Sequence, residues 1–219
     1  MDSIDTAQVE RGDTAAQILD VAERLVQVRG FNGFSYADVA AELKITKAAL
    51  HYHFAGKAEL GEALVTRYAT RFAEALAAVE ARTAEAAARL DAYADLYLDV
   101  LRGHRMCLCG MMAAEYTTLP LPMQDGVVRF FEENERWVAR VLEQGHREGT
   151  LAFNGPPEEM ARMIVSGLEG AMLVARPFDD IARFQQSADN LLSGLKVTPP
   201  RAGGSRSRSK RQPSSSAAR

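Results

Sequence analysis

Residues 35–60 read SYADVAAELKITKAALHYHFAGKAEL, and this stretch decides the fold of the N-terminal part of the chain. Ser35 can cap a helix whose first turn contains Asp38, because a side-chain oxygen satisfies a free backbone N–H and an acidic residue suits the positive end of the helix dipole. Thr46 can cap a second helix in the same way. The stretch therefore predicts two short helices that are joined by a tight turn.

The second of these helices has two different sides. Leu50 and Phe54 are four residues apart and can both face inward. The other side is small, basic and aromatic, which suits close approach to a major groove and contacts to phosphates or base edges. Plain helix packing produces the same spacing, so the spacing alone leaves DNA binding and packing as equal alternatives. The outward side carries Lys47, Ala48, His51 and Tyr52.

The flanking residues add a more specific pattern. Residues 29–31 read RGF, and residues 52–57 read YHFAGK. With the stretch between them they resemble the helix-turn-helix of the TetR/AcrR family of bacterial transcriptional regulators, over residues 14–64. The resemblance implies binding to double-stranded operator DNA. The DNA contacts that it implies are Ser35, Tyr36, Thr46, Lys47, Ala48, His51, Tyr52 and Lys57.

Two positions depart from the family pattern. Lys44 stands where the family usually has a glycine suited to the left-handed backbone of the turn, at a cost of about 1 kcal/mol. His51 stands where the family usually has a tyrosine, and Tyr52 is displaced by one position. We therefore expect an operator preference or a phosphate contact that differs from the common type.

Composition predicts a soluble, cytoplasmic protein without a membrane segment. The chain has 219 residues, of which 47% are hydrophobic. No apolar run approaches the roughly 20 residues of a membrane-spanning helix, and the N-terminus lacks the layout of a signal peptide. We divide the chain into a disordered N-terminus (1–12), a DNA-binding domain (13–56), a helical effector-binding and dimerisation domain (57–196) and a disordered basic tail (197–219).

Charge is distributed unevenly along the chain. The net charge is −3, but residues 196–219 carry +7 and no acid, which leaves −10 for residues 1–195. An acidic body repels DNA, so specific binding must rest on the local basic face of the first domain. The tail is rich in Ser, Pro and Arg, and either a DNA-holding arm or a solubilising segment fits this composition.

Helical periodicity continues to the end of the C-terminal domain, and we predict nine helices and no strands. The first helix is expected to open at a capping box of Thr14 and Gln17. The predicted fold is all-α, with an N-terminal three-helix helix-turn-helix domain and a C-terminal helical domain for ligand binding and dimerisation. Gly167 and Gly170 each cost a helix nearly 1 kcal/mol, so we expect close packing there. Packing within the chain is one explanation, and the homodimer interface implied by the resemblance is the other.

The resemblance also implies a small-molecule effector bound in the C-terminal domain. Glu115 or Glu169 in the cavity would favour a cationic or hydrogen-bonding effector, whereas Arg176 would favour a carboxylate. Core or surface positions are the alternative for every candidate. The candidate effector residues are Met111, Met112, Glu115, Tyr116, Trp137, Met163 and Glu169.

Two cysteines, Cys107 and Cys109, lie in the sequence HRMCLCGMM. Residues two apart on a helix point away from each other, so we do not expect a mutual disulfide. Burial as small apolar residues is the favoured interpretation, and a redox or electrophile sensor at Cys107 is the alternative. A thiol enzyme with His104 as base is a remote third, because no oxyanion loop is evident. We predict no metal, no cofactor and no enzymatic activity, and a repressor that its effector releases from the operator.

Overall fold

A computed structural model of the chain describes the backbone of residues 3–197 and the side chains of residues 13–197. Over this range the chain forms the nine α-helices that the sequence predicts, together with two short 3₁₀ turns. The predicted basic tail lies outside the described residues from position 198 onward. The helices are α1 (Ser3–Arg29), α2 (Tyr36–Leu43), α3 (Lys47–His53), α4 (Lys57–Arg82), α5 (Ala86–Arg102), α6 (Leu108–Ala114), α7 (Leu121–Arg147), α8 (Pro157–Ala175) and α9 (Ile181–Ser193).

The first helix differs from its prediction at its start. α1 begins at Ser3, so the predicted disorder of residues 1–12 is wrong from residue 3 onward. Thr14 lies inside the helix and does not cap it. The Gln17 amide instead donates a hydrogen bond to the Asp13 carboxylate, one turn earlier, at 3.0 Å.

Helices α1, α2 and α3 form a compact head, and its two short helices begin at the predicted residues. The Asp38 carboxylate accepts hydrogen bonds from the hydroxyl and the backbone N–H of Ser35, at 2.6 and 2.7 Å. These hydrogen bonds lower the pKa of Asp38. Lys44 ends α2 with φ 56° and ψ 36°, the left-handed conformation predicted for it. Leu50 and Phe54 are buried beneath α3.

The long helix α4 connects the head to the rest of the protein. Its Arg67 guanidinium pairs with Asp20 at 2.8 Å and with Glu23 at 2.7 Å, both on α1. Arg67 and Glu23 are mostly buried, so this pairing is shielded from solvent screening. Head and long helix are thus tied together by charge as well as by apolar packing.

Helices α5 to α9 form the C-terminal domain, whose core is partly aromatic. The hydroxyls of Tyr93 and Tyr97 lie 3.0 Å apart, and Tyr93 donates to the Asn134 side chain at 3.3 Å. Because their hydroxyls have hydrogen-bond partners, Tyr93 and Tyr97 can be buried without leaving these polar atoms unsatisfied. No helix within residues 3–197 is long and apolar enough to cross a membrane.

Two details of this domain refine the predicted layout. Helix α7 begins at Leu121, because Pro122 fits the first turn, where its missing N–H is not needed. The described residues contain one isolated antiparallel bridge between Leu151 and Lys196 and no longer strand. This bridge ties the end of the domain to the loop after α7.

Candidate DNA interface and effector site

Helix α3 presents the surface predicted to enter the major groove. Its cap is formed as expected, because the Thr46 hydroxyl accepts the Ala49 N–H at 3.1 Å. Lys47, Ala48 and His51 are exposed, and Tyr52 is 67% exposed. The predicted groups therefore share one solvent-facing side, and their contacts to DNA remain predictions.

Tyr36 and His51 support each other beside this surface. The Tyr36 hydroxyl donates to the Phe54 carbonyl at 3.1 Å. The ring centroids of Tyr36 and His51 are 4.9 Å apart. Nδ1 of His51 lies 3.0 Å from the Ala55 carbonyl. Burial, followed by the negative charge of Glu59, raises the pKa of Tyr36 to about 12. Tyr36 therefore carries a proton at neutral pH and fastens α2 to the end of α3.

Lys57, the first residue of α4, already has partners inside the head. Its ammonium donates to the Phe34 carbonyl and lies 4.7 and 4.4 Å from the ring centroids of Phe31 and Phe34. Burial lowers its pKa. These contacts assign Lys57 a packing role, and its phosphate contact remains a prediction.

Replacing Lys57 and, separately, Lys47 with Ala distinguishes packing from DNA contact. We expect Lys57→Ala to lower the free energy of unfolding by about 1–2 kcal/mol, because it removes a hydrogen bond and two cation–π contacts. Lys47→Ala, at an exposed position, should leave stability unchanged and lower the salt slope of operator binding by about one. Urea unfolding measures the free energy of unfolding, and gel shifts at several salt concentrations measure the salt slope of operator binding. A full salt slope in Lys57→Ala would exclude its phosphate contact, and a full slope in Lys47→Ala would exclude that of Lys47.

A cavity of about 420 Å³ opens between α6, α7 and α8 in the C-terminal domain. Two predicted effector residues, Met111 and Glu169, line it. The sequence missed the other lining residues, although a glycine inside HRMCLCGMM was an available signal for a close approach. The other lining residues are Met106, Gly110, Ala113, Ala114, Phe131, Glu135, Val165, Ser166, Gly170 and Leu173.

Glu169 is the polar centre of this cavity. Its Oε1 atom is enclosed and has no hydrogen-bond partner among the described residues. Its Oε2 atom lies so close to Gly110 that a Cβ there would overlap it. Burial raises the pKa of Glu169 to about 7, and a hydrogen bond with Cys107 partly opposes this effect. A carboxyl group with one enclosed oxygen that lacks a partner is costly to bury, which marks this position as a candidate ligand contact.

Four predicted effector residues lie outside the lining of this cavity, and their contacts to an effector remain predictions. Met112 is fully buried in the core, and Trp137 stacks on Tyr93 with ring centroids 5.7 Å apart. Met163 is 50% exposed on the outer face of α8, and Tyr116 is 37% exposed in the turn after α6. Helical register, which the sequence pattern only approximates, decides which of these side chains points inward.

Glu115, the remaining candidate, contacts the head instead of the cavity. Its carboxylate accepts the backbone N–H of Phe31 at 2.6 Å and that of Asn32 at 3.1 Å. The neighbouring Thr118 hydroxyl accepts the Asn32 side-chain amide at 2.7 Å. Glu115 therefore joins the end of α6 to the loop between α1 and α2.

The cysteines occupy buried positions, as the favoured interpretation predicts. Cys107 caps α6, and its sulfur accepts the Gly110 N–H at 3.4 Å. Burial, followed by the charge of Glu169, raises the pKa of both thiols. The imidazole of His104 is exposed and lies 3.6 Å from Asp179, so it is not placed as a base for Cys107. A raised pKa suppresses the thiolate, which disfavours the sensor and thiol-enzyme alternatives.

The chain thus combines a helix-turn-helix head with a helical domain that contains a cavity. Residues 18–64 match the family model for bacterial regulatory proteins of the tetR family, and residues 86–191 match that for the tetracyclin repressor-like C-terminal domain. The chain belongs to the TetR family of transcriptional regulators and is a ligand-responsive DNA-binding repressor. Regulators of this family bind operator DNA and small-molecule effectors and function as dimers.

Individual relatives agree with this membership. A TetR-family transcriptional regulator from Agrobacterium tumefaciens has a similar structure, with a TM-score of 0.83, 29% identity, and coverage of 85% of this chain and 100% of that chain. A TetR regulator from Legionella pneumophila gives a TM-score of 0.75 and 30% identity, over 82% and 96% of the two chains. The transcriptional regulator AcuR of Cereibacter sphaeroides is 26% identical over 153 residues, 68% of this chain and 69% of that protein.

Proposed function

We propose that two copies of the chain pair through α8 and α9 and bind a palindromic operator with their two heads. A small molecule in the Glu169 cavity then releases them. The observation that carries this proposal is the position of α6, which lines the cavity and also contacts the head through Glu115 at its C-terminal end. A cytoplasmic location follows from the function, because the operator is chromosomal DNA.

The outer face of α8 supports pairing with a second copy. Met163 and Val174 are 50% and 55% exposed on this helix, and the helical spacing places them on one side of it, together with Gly167 and Gly170. Gly167 packs against Leu191 of α9, whereas a Cβ at Gly170 would meet no described atom within 4 Å. Packing within the chain therefore accounts for Gly167 only. Gly170 also lines the cavity. Close approach of a second α8 would cover Gly170 together with the exposed side chains of Met163 and Val174.

Replacing Val174 with Arg tests the dimer and the operator together. We expect a monomer in analytical ultracentrifugation and loss of the gel shift on DNA flanking the protein's own gene, because two half-sites must be held at once. Val128→Arg makes the same change at a 41% exposed position on α7 and serves as the control. A Val174→Arg protein that stays dimeric would contradict the proposed interface. A wild-type dimer that binds no fragment of its own promoter would contradict autoregulation through that operator.

Helix α6 supplies the route from the cavity to the head. Gly110 and Met111 line the cavity, and Glu115 caps the end of the same helix while holding the backbone of Phe31 and Asn32. A further contact is made just before α6, where the Met106 N–H donates to the Gln27 carbonyl at 3.1 Å. A ligand that moves α6 therefore acts directly on the end of α1 and on the loop that leads into α2.

Release follows from differential binding to two states. In one state the paired heads match successive major grooves, and in the other they do not. An effector that binds the second state more tightly lowers operator affinity by the same factor as the operator lowers effector affinity. The cavity and the head need no direct contact for this coupling, because α6 and α4 connect them as nearly rigid elements.

A further inference from the structure

The charged side chains that line the cavity are all acidic. Its described lining residues include two carboxylates, Glu135 and Glu169, and no Lys, Arg or His. Glu135 has a cation nearby, because the Arg162 guanidinium lies 3.8 Å away on the solvent side of α8. Glu169 has no such partner. The negative charge that remains uncompensated inside the cavity is therefore that of Glu169.

The walls around Glu169 are apolar and adaptable. Met106 and Met111 are flexible enough to follow the outline of different ligands, and Phe131 adds an aromatic surface that can attract a cation. The volume of about 420 Å³ lies within the range of small-molecule sites. A ligand with a compact apolar body and one charged end matches this combination of walls and carboxylate.

We infer that the effector is an organic amine whose ammonium group pairs with the Glu169 carboxylate while its apolar part lies against Met106, Met111 and Phe131. This inference rests on the proposed function, which needs an effector in this cavity. The ammonium group supplies the donor that Oε1 lacks, and it also compensates a charge that is otherwise poorly solvated. A glycine is needed at position 110 for this placement of the carboxylate, because a Cβ there would displace the Oε2 atom of Glu169.

The protonation state of Glu169 decides between an amine and a neutral ligand. A neutral donor or acceptor is compatible with the protonated carboxyl, whereas an ammonium group requires the carboxylate. Because the pKa of Glu169 is raised to about 7, its carboxyl group changes protonation state within a pH range that binding measurements can cover. Burial also raises the pKa of the phenols and thiols around Glu169, so they remain neutral through it. The titratable groups that face Glu169 are Tyr68 on α4, Tyr93 and Tyr97 on α5, Cys107 and Cys109 at α6, and Glu135 on α7.

A charge series with one apolar body tests the inference on the full-length dimer. The probes are 2-phenylethylamine, 2-phenylethanol and 3-phenylpropanoate, which end in a cation, a neutral hydroxyl and an anion. Calorimetry measures their affinities for the wild type, Glu169→Gln and Glu132→Gln, the last of which removes an exposed carboxylate elsewhere on α7. Each is measured at about pH 6 and about pH 8, on either side of the Glu169 pKa of about 7.

We expect the amine to bind the wild type at least about tenfold more tightly than the alcohol, with an affinity that rises with pH. Glu169→Gln should lose this preference, and Glu132→Gln should keep it. Equal or tighter binding of the alcohol or the propanoate, a preference that survives in Glu169→Gln, or no binding of the amine would each overturn the inference. Operator gel shifts on the same samples separate the two proposals. A ligand-free wild type that shifts the operator but shows no amine preference defeats only the effector class, whereas a ligand-free wild type that gives no shift defeats the proposed function.

Discussion

Replacing Glu169 with Gln is expected to increase stability relative to the wild type by about 3 kcal/mol as the pH rises from below 4.5 to above 7. The reason is that the folded protein holds this carboxyl in a poorly solvated place. Burial raises its pKa to about 7 from the ordinary value of 4.5. A neutral amide does not ionise and avoids the cost at every pH.

The direction follows from the protons bound by each state. Below pH 4.5 the carboxyl is protonated in the folded and the unfolded chain, so it contributes nothing that depends on pH. Between pH 4.5 and 7 the unfolded chain releases the proton and the folded chain retains it, so wild-type stability falls as pH rises. Above pH 7 both states are ionised and the loss is complete. The acid end of the range serves as the internal reference for any constant effect of the amide.

Urea unfolding at intervals between about pH 4 and pH 8 measures this difference, with Glu132→Gln as the control for removing an exposed carboxylate from α7. A stability difference that stays constant across the range would mean that Glu169 ionises normally, and it would remove the electrostatic reason for placing a ligand there. A difference that grows with pH would show that the protein retains a destabilising group in its cavity. Such a cost is typical of positions kept for binding.

The local structure of the head was predictable from sequence because its signals are local. Ser35 and Thr46 cap their helices, and Lys44 takes the left-handed turn position. Each of these depends on a few neighbouring residues and on backbone geometry. The start of α1 was the exception, because a capping pattern at Thr14 is also compatible with the middle of a longer helix.

The candidate effector site was only partly predictable, because it depends on contacts between distant residues. Glu115 and Glu169 are both carboxylates next to apolar helical segments, and nothing local distinguishes them. In the fold, Glu115 meets the backbone of a residue 84 positions away, whereas Glu169 closes on Gly110. Helical register also places Met163 on the outer face of α8 and Met111 in the lining of the cavity. These differences arise from how the helices are packed, which the sequence pattern does not specify.

Replacing Glu115 with Ala is expected to disconnect the cavity from the head. The backbone N–H groups of Phe31 and Asn32 would lose their acceptor, and the end of α6 would lose its polar contact to the loop before α2. Ligand binding in the cavity should persist, because Glu115 is not among its lining residues. The variant should therefore bind the ligand and no longer transmit the binding to the operator.

Two measurements on this variant separate coupling from folding. Hydrogen exchange at the Phe31 and Asn32 amides should be faster than in the wild type, because their hydrogen bonds to the carboxylate are removed. The factor by which saturating 2-phenylethylamine weakens operator binding should fall from about tenfold or more toward one, since coupling of this size is typical of two-site regulators. Glu115→Gln keeps an acceptor oxygen, so it should retain part of the amide protection and part of the coupling to operator binding. An unchanged factor in Glu115→Ala, with amine binding intact, would show that the signal reaches the head without Glu115, through α4 or through the Met106–Gln27 contact.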